Sequence, residues 1–258
     1  MQRYFIKLAY DGTHYHGWQS QENANTIQAE LEKALFDIHQ KKIEVTGAGR
    51  TDTGVHAREY FAHFDLEQTV DKLQIDDLIY RLNAILPEDI TVFFIFPVTN
   101  ETHARFTALS RTYKYYISKK KNPFFNKYSW NLFGNIDIEK MNEAAQILFE
   151  YNDFTSFAKL HTDVKTNNCK IMQAEWVDDS NMLVFTIKAD RFLRNMVRAI
   201  VGTLLDVGKN KINLNEFRQI IETRNRSQAG FSVPARGLFL DKIEYPANII
   251  QVDLANKK

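Results

Sequence analysis

Arg50 and Asp52 stand two positions apart in the octapeptide Gly47-Ala48-Gly49-Arg50-Thr51-Asp52-Thr53-Gly54, among three glycines and two threonines. Glycine admits positive φ and lets a backbone come close to a ligand. A short-stemmed aspartate on such a turn is placed by the main chain rather than by a mobile side chain. An arginine nearby favours its charged form, because an opposite charge lowers a carboxyl pKa. A fixed, ionised carboxylate is what a nucleophile requires. D-x-G and G-x-G are also ordinary turn signals, so the residue types alone leave a plain turn open. A dinucleotide fingerprint is excluded, since G-x-G-x-x-G would need glycine at 52, where the chain has Asp52. No phosphate loop of the form G-x-x-x-x-G-K-[ST] occurs either.

The elements that must hold this turn can be read from periodicity. Residues 3–10 alternate apolar and polar, a half-buried strand, and Asp11-Gly12 ends it. Residues 25–39 put Ile27, Leu31, Ala34, Leu35 and Ile38 on one helical face, with Asn25 and Gln28 at capping-box spacing. Residues 43–48 read as a strand running into the Asp52 turn, and 58–66 as another. A helix over 71–86 turns Ile75, Leu78, Ile79, Leu82, Ile85 and Leu86 inward, and Pro87 ends it. Residues 90–98 are an apolar strand. The order β-α-β-β-α-β is ferredoxin-like.

The second half repeats that pattern without sequence identity. Residues 108–118 read as a strand, and Asp137 caps a helix carrying Met141, Ala144, Ala145, Leu148 and Phe149. Residues 171–178 and 183–189 form a hairpin through Asp179-Ser180-Asn181. Helices follow over 192–207 and near 215–223, then a strand over 238–245. The expected class is α+β: two ferredoxin-like, RRM-like halves, 1–100 and 101–258. Their edge strands would join into one extended mixed or antiparallel sheet, with helices on one side and a central RNA-binding cleft.

Net charge is only +1, but its distribution is uneven. Between Thr102 and Asn135 there is no acidic residue, while Arg105, Arg111, Lys114, Lys119, Lys120, Lys121 and Lys127 fall there. Residues 65–90 are mainly acidic, with Asp65, Glu67, Asp71, Asp76, Asp77, Glu88 and Asp89 against Lys72 and Arg81. A basic face supplies the salt-sensitive part of nucleic-acid affinity; Lys119-Lys120-Lys121 also suits a solvated loop. Cys169 is the only cysteine, which excludes an intrachain disulfide and a cysteine-based zinc site. It reads as a small filler side chain and fits a reducing, cytoplasmic setting. His14 and His16 have no acidic partner at ligand spacing and read as RNA contacts or surface, while His56 and His63 read as structural. No apolar run is long enough to span a bilayer. Met1-Gln2-Arg3-Tyr4 leads directly into a strand with no secretory signal.

The longer string from Gly47 to Ala57, GAGRTDTGVHA, closely resembles the catalytic motif of the tRNA pseudouridine synthases of the TruA family. Tyr15-His16-Gly17-Trp18-Gln19 resembles that family's G-W-Q segment, and His103-Ala104-Arg105-Phe106 its H-A-R-F. Arg111-Thr112-Tyr113-Lys114-Tyr115 matches R-x-Y-x-Y, and Asn152-Asp153-Phe154-Thr155-Ser156-Phe157 matches N-D-F-T-S-F. Met196-Val197-Arg198 with Ile200-Val201-Gly202 matches M-V-R-x-I-V-G, and Gly237-Leu238-Phe239-Leu240 the late G-L-Y-L. Each block is weak alone; seven in order, over nearly the whole chain, are specific.

The resemblance implies isomerisation of uridines 38, 39 and 40 in the anticodon arm of tRNA by a homodimer, with no metal and no cofactor. Asp52 matches the family's essential nucleophile. Tyr113 would lie against the target uracil and assist proton removal from C5. Arg50 would act on the RNA and help extrude the base. Arg198 would pair with the nucleophile, and Leu238 would line the uracil pocket. Arg105, Arg111 and Lys114 would bind substrate. Taken as residue types alone, Tyr113 and Leu238 also suit a core, and Arg198 an arginine snorkelling from a helix edge. A charge beside Met196 and Val197 needs a partner, however. Attack on C1′, addition to uracil C6 and abstraction of the C2′ proton all stay open; each needs Asp52 ionised. Thr53 departs from the family's alanine, with its Oγ expected to cap the turn, and segment 159–170 diverges most. The rival reading is a noncatalytic RRM-like RNA-binding protein, but the chain lacks the aromatic RNP1 strand which that module uses.

Overall fold

The computed structural model describes residues 1–159, 166–179 and 181–250. Residues 160–165 of the divergent segment and Ser180 of the expected hairpin turn lie outside them. Nine strands and six α-helices occur among the described residues, an α+β fold. The chain divides into two compact units, Met1–Leu109 with the stretch from Leu240 onward, and Ser110–Phe239.

In the first unit the order is β1 (Gln2–Tyr10), α1 (Ile27–His39), β2 (Thr46–Gly47), β3 (His56–Leu66), α2 (Lys72–Ile85) and β4 (Ile90–Val98). This is the β-α-β-β-α-β succession expected from periodicity. β1 lies between β3 and β4, antiparallel to both, and β9 (Leu238–Glu244) lies beside β3. Tyr4, Ile6, Leu8 and Tyr10 of β1 are buried on one face. Arg3, Lys7 and Ala9 on the other face are only partly covered, the half-buried alternation expected, with one exception. Phe5, on that face, is fully buried among the rings of Phe61, Phe96 and Tyr245. β2 spans only Thr46–Gly47, pairing with His63 and Ala62, rather than all of 43–48.

Helix ends differ from the spacing argument in instructive ways. α1 is capped by Thr26, whose Oγ1 accepts from the Ala29 N–H at 3.3 Å; Asn25 is not the cap. Gln28 instead donates to the Val45 carbonyl at 3.0 Å, tying the helix to the strand that enters the turn. α2 has a true capping box, Asp71 with Gln74. Its Leu78 and Leu82 are buried, but Ile85 is exposed, because Leu86 takes the buried place where the helix ends.

The second unit contains β5 (Ser110–Ser118), β6 (Trp130–Asn131), α3 (Ile138–Ile147), β7 (Ile171–Asp179), β8 (Met182–Ala189), α4 (Met196–Gly208) and α5 (Leu214–Glu222); β9 and α6 (Ala247–Ile250) follow. β8 runs antiparallel between β5 and β7, and β6 is parallel to β5. The register Tyr113↔Ile187, Tyr115↔Phe185 and Ile117↔Leu183 builds an apolar layer in which Tyr115, Ile117, Leu183, Phe185 and Ile187 are buried. α4 starts at Met196, not at 192, because Asn195 sits at φ +66 and breaks the helical run. Phe149 is exposed: α3 ends at Ile147 and a tighter 3₁₀ turn, Leu148–Glu150, rotates it off the buried face.

Candidate active site

Asp52 lies on the turn between β2 and β3, and a cluster of aromatic rings packs beside that turn. Trp18 stacks on Tyr60 with ring centroids 4.1 Å apart, and Tyr10 tilts against both. All three rings are buried. Such a stack adds roughly 0.5–1.5 kcal/mol beyond the area it buries. Gly47 is where the chain crosses it. A Cβ there would come within 2.3 Å of Trp18 Nε1 and of the Tyr60 hydroxyl. The Tyr60 hydroxyl in turn grips Gly49, donating to its carbonyl and accepting from its N–H.

Two further clamps fix the residues on either side of Asp52. Thr51 is buried, with Oγ1 2.9 Å from the Tyr10 hydroxyl. Its carbonyl accepts from the Trp18 N–H at 3.4 Å. After Asp52, the Val55 N–H donates to the Asp52 carbonyl at 3.1 Å, and Gly54, at φ +76, donates to the Tyr15 carbonyl. The segment that supplies those partners is itself pinned. The Tyr15 hydroxyl donates to Asp89 at 2.5 Å; burial, then that carboxylate, raises its pKa well above the usual phenol value. Gly17 has φ +91, and a Cβ there would fall 2.2 Å from the Thr51 carbonyl oxygen. His56 is buried at the base, its Nδ1 3.1 Å from the Gly12 N–H and 2.9 Å from Asp11. An unprotonated Nδ1 accepts the Gly12 bond, while a protonated one pairs with Asp11. Asp52 is thus a half-buried carboxylate on a backbone held at Ala48, Gly49, Thr51, Gly54 and Val55.

Several expectations for this loop are corrected. Only Gly54 of the three motif glycines uses positive φ. Gly47 serves close packing, and a Cβ on Gly49 would meet nothing within 4 Å. Arg50 is exposed and makes no hydrogen bond or ion pair among the described residues, so it is not paired with Asp52. The hydroxyl that braces the turn is that of Thr51; Thr53 is exposed.

Arg105 lies in the same unit, exposed, with its guanidinium 5.4 Å from the centre of the Phe106 ring. The turn beneath it is set by two histidines. His63 is buried and its Nδ1 accepts from the Ala104 N–H at 3.2 Å; His103 Nδ1 accepts from the Arg105 N–H at 3.1 Å. Burial, then the Arg3 guanidinium, pulls the His63 pKa down to about 4, and burial lowers that of His103 as well. Both are neutral acceptors, the structural role expected of His63.

The remaining candidates belong to the second unit. Arg111 and Tyr113 share one face of β5 with the buried Tyr115 and Ile117, and Lys114 points from the other face. Arg111 donates to the Asp190 carbonyl at 2.8 Å. Tyr113 is half-buried, edge-on to Phe192 at 5.2 Å. Burial raises the pKa of Tyr115, whose hydroxyl donates to the Pro234 carbonyl. Arg198 and Val233 clasp each other: Arg198 Nε donates to the Val233 carbonyl at 2.7 Å, and the Val233 N–H donates back to the Arg198 carbonyl at 3.2 Å. Leu238, 5% exposed, follows Gly237, where a Cβ would meet the Tyr116 carbonyl at 2.8 Å.

Sequence reasoning missed the supporting residues Tyr10, Trp18, Thr51 and Tyr60. Their signal was faint: Trp18 sits in the G-W-Q block, while Tyr10 and Tyr60 are inward positions of alternating strands.

The family model described as tRNA pseudouridine synthase matches residues 7–107 and 144–246. A tRNA pseudouridine synthase A of Bacteroides fragilis is 57% identical over 252 residues, covering 97% of this chain and 99% of that one. One of Bacteroides thetaiotaomicron is 54% identical, covering 96% and 93%, and one of Parabacteroides distasonis is 52% identical, covering 98% and 100%. With the family model spanning both arms of the chain and half of all positions shared with full-length relatives, the chain belongs to the tRNA pseudouridine synthase family.

Proposed function

We propose that this chain isomerises uridine in tRNA to pseudouridine and that Asp52 is the catalytic anion. The observation that carries the reading is the bracing of Asp52: a half-buried carboxylate on a turn whose flanking residues are fixed by buried hydroxyls and by close backbone contacts. Preorganisation of that kind lowers a barrier without moving the group during reaction. The isomerisation breaks N1–C1′ of uridine, turns the base, forms C5–C1′, releases the C5 proton and places one proton on N1. Atoms and electrons balance within the substrate, so no donor or redox partner is consumed.

Finer parts of the reading are these. The target is uridine 38, 39 or 40 of the anticodon arm. Arg50, exposed and without a protein partner among the described residues, contacts the RNA. Tyr113 lies against the uracil, and Leu238 lines its pocket. Arg105, Arg111 and Lys114 bind substrate, with Arg198 supporting the site. The enzyme works as a cytoplasmic homodimer.

The test is tritium release from unmodified tRNA labelled at C5 of uridine, with no cofactor added. One tritium should leave per pseudouridine formed, and mapping should place the product at positions 38–40. No release from any unmodified tRNA would overturn the activity. Release from other positions would overturn the site assignment alone.

A further inference from the structure

The chain between β5 and α3 does something that neither the fold nor the Asp52 turn requires. Phe124 is 85% exposed and Phe133 is 64% exposed, with Phe125 and Tyr128 also open to solvent. Burying one phenylalanine stabilises a fold by roughly 1.5–3 kcal/mol, and here that gain is forgone repeatedly within ten residues. Nor is the segment a loose loop. The Phe124 N–H donates to Asn122 Oδ1, the Tyr128 N–H to the Phe125 carbonyl, and the Leu132 N–H to the Ser118 carbonyl. Ser129 is fully buried, donating to the Phe125 carbonyl, while its own carbonyl accepts from Arg236. β6 pairs with β5 through Trp130 and Asn131. The backbone is fixed and the rings face outward.

Charge says what such a surface meets. Lys119 is taken up by an ion pair with Asp178. Lys120, Lys121 and Lys127 are exposed and have no carboxylate partner among the described residues. No acidic residue occurs between Thr102 and Asn135. Two copies of this segment facing each other would set lysine against lysine. A polyanion with flat apolar groups meets both features at once. Single-stranded nucleic acid is bound in that way, by aromatic platforms for bases and cations for phosphates.

We propose that residues 120–133 form a second RNA contact, which stacks unpaired bases on Phe124 and Phe133 and holds their phosphates with Lys120, Lys121 and Lys127. It rests on the reading of tRNA as substrate, and its ligand there is a loop rather than a stem, since paired bases offer no free face. The contact is tolerant of sequence, because every base has a face to stack.

The experiment compares three forms of the full chain: wild type, Phe124→Ala with Phe133→Ala, and Lys120→Gln with Lys121→Gln and Lys127→Gln. All altered side chains are exposed, and circular dichroism checks that each form is folded. Binding is measured across a salt series to unmodified tRNA, to an oligouridylate of about ten nucleotides and to an RNA duplex of about equal length. The phenylalanine variant should lose about tenfold or more in affinity for oligouridylate and tRNA, with no loss for duplex. The lysine variant should lower the slope of log K against log salt by about two to three units for every probe. Unchanged affinity of the phenylalanine variant for oligouridylate and tRNA would overturn the proposal. So would a change in its sedimentation with RNA affinity unchanged, which would make the rings a contact between copies. Tritium release by the wild type decides the underlying activity separately, and oligouridylate binding is read whether or not that activity is found.

Discussion

Asp52 is placed by neighbours that do no chemistry: a threonine hydroxyl, a tyrosine hydroxyl and two carbonyls on either side of it. The Asp52→Asn variant keeps those supports and removes only the charge. It should lose more than about a thousandfold in turnover, as removal of a catalytic nucleophile does, while tRNA affinity stays close to that of the wild type. Single-turnover rates and equilibrium binding measure the two separately; a variant retaining a tenth of the rate removes Asp52 from the role. Residue types and spacing singled out Asp52 as the candidate. They did not show that Arg50 makes no ion pair with Asp52, because spacing does not encode the dihedrals of an irregular turn. Arg198 was legible as a charge needing a partner, but not as half of a reciprocal clasp with Val233. Arg198→Met breaks a charge-assisted bond to a carbonyl, so urea unfolding should show a loss of about 1–3 kcal/mol, accompanying any loss of activity. Stability equal to wild type would show that the clasp carries no load.

At the scale of elements, the turn depends on how closely one segment passes another. Gly17→Ala puts a methyl 2.2 Å from the Thr51 carbonyl and forces a non-glycine residue to φ +91. The Gly17 segment and the Thr51–Asp52 backbone must move apart, and thermal unfolding should report a loss of about 1–3 kcal/mol. Turnover should fall with it, through displaced Asp52. Gly49→Ala meets open space without positive φ, and its melting temperature should match the wild type. Equal effects of the two substitutions would contradict this account. Periodicity located eight of the nine strands and five of the six helices, because each carries a buried face that repeats. The two-residue β6 and the one-turn α6 have no such repeat. Caps were harder. Asn25 and Thr26 both suit an N-cap, and only the fully buried position of Thr26 decides between them.

At the scale of the molecule, the near-zero net charge describes neither unit. Much of the acidic stretch over 65–90 is used in local pairs: Asp65 takes a two-pronged bond from Arg3, Glu67 pairs with Lys41 and Asp77 with Arg81. A pH effect follows from His63 instead. It is neutral in the fold until about pH 4, whereas an unfolded histidine takes its proton near 6.5. The unfolded chain therefore binds the proton first. Stability should be fully present above about pH 6.5 and fall by up to roughly 1.4 kcal/mol per pH unit on acidification toward 4. Urea midpoints at pH 7 and 5 measure it, and His63→Gln, with an amide oxygen to accept from Ala104, should flatten the slope. An unaltered slope would assign the effect to other groups. The division into units was the least legible feature. A cut at residue 100 follows from the repeated pattern, but residues from Leu240 onward return to the first compact unit. Strand pairing over so long a separation leaves no local trace.

That return sets an order for synthesis. The first unit is entered by residues 240–245 as well as by the first 109. The Ile243 N–H donates to Glu59, Asp241 pairs with Arg58, and the Tyr245 hydroxyl closes on the Ala104 carbonyl while its ring packs on Phe5 and Phe61. A ribosome delivers those partners after the whole of the second unit. Until then β3 keeps an open edge and Phe5 an incomplete cover, the kind of exposed strand that pairs with the wrong chain. The second unit, Ser110–Phe239, is contiguous and has all its residues beforehand. The half that carries Asp52 is begun before the second unit and finished after it, so a nascent chain completes that half only once all of Ser110–Phe239 has been made.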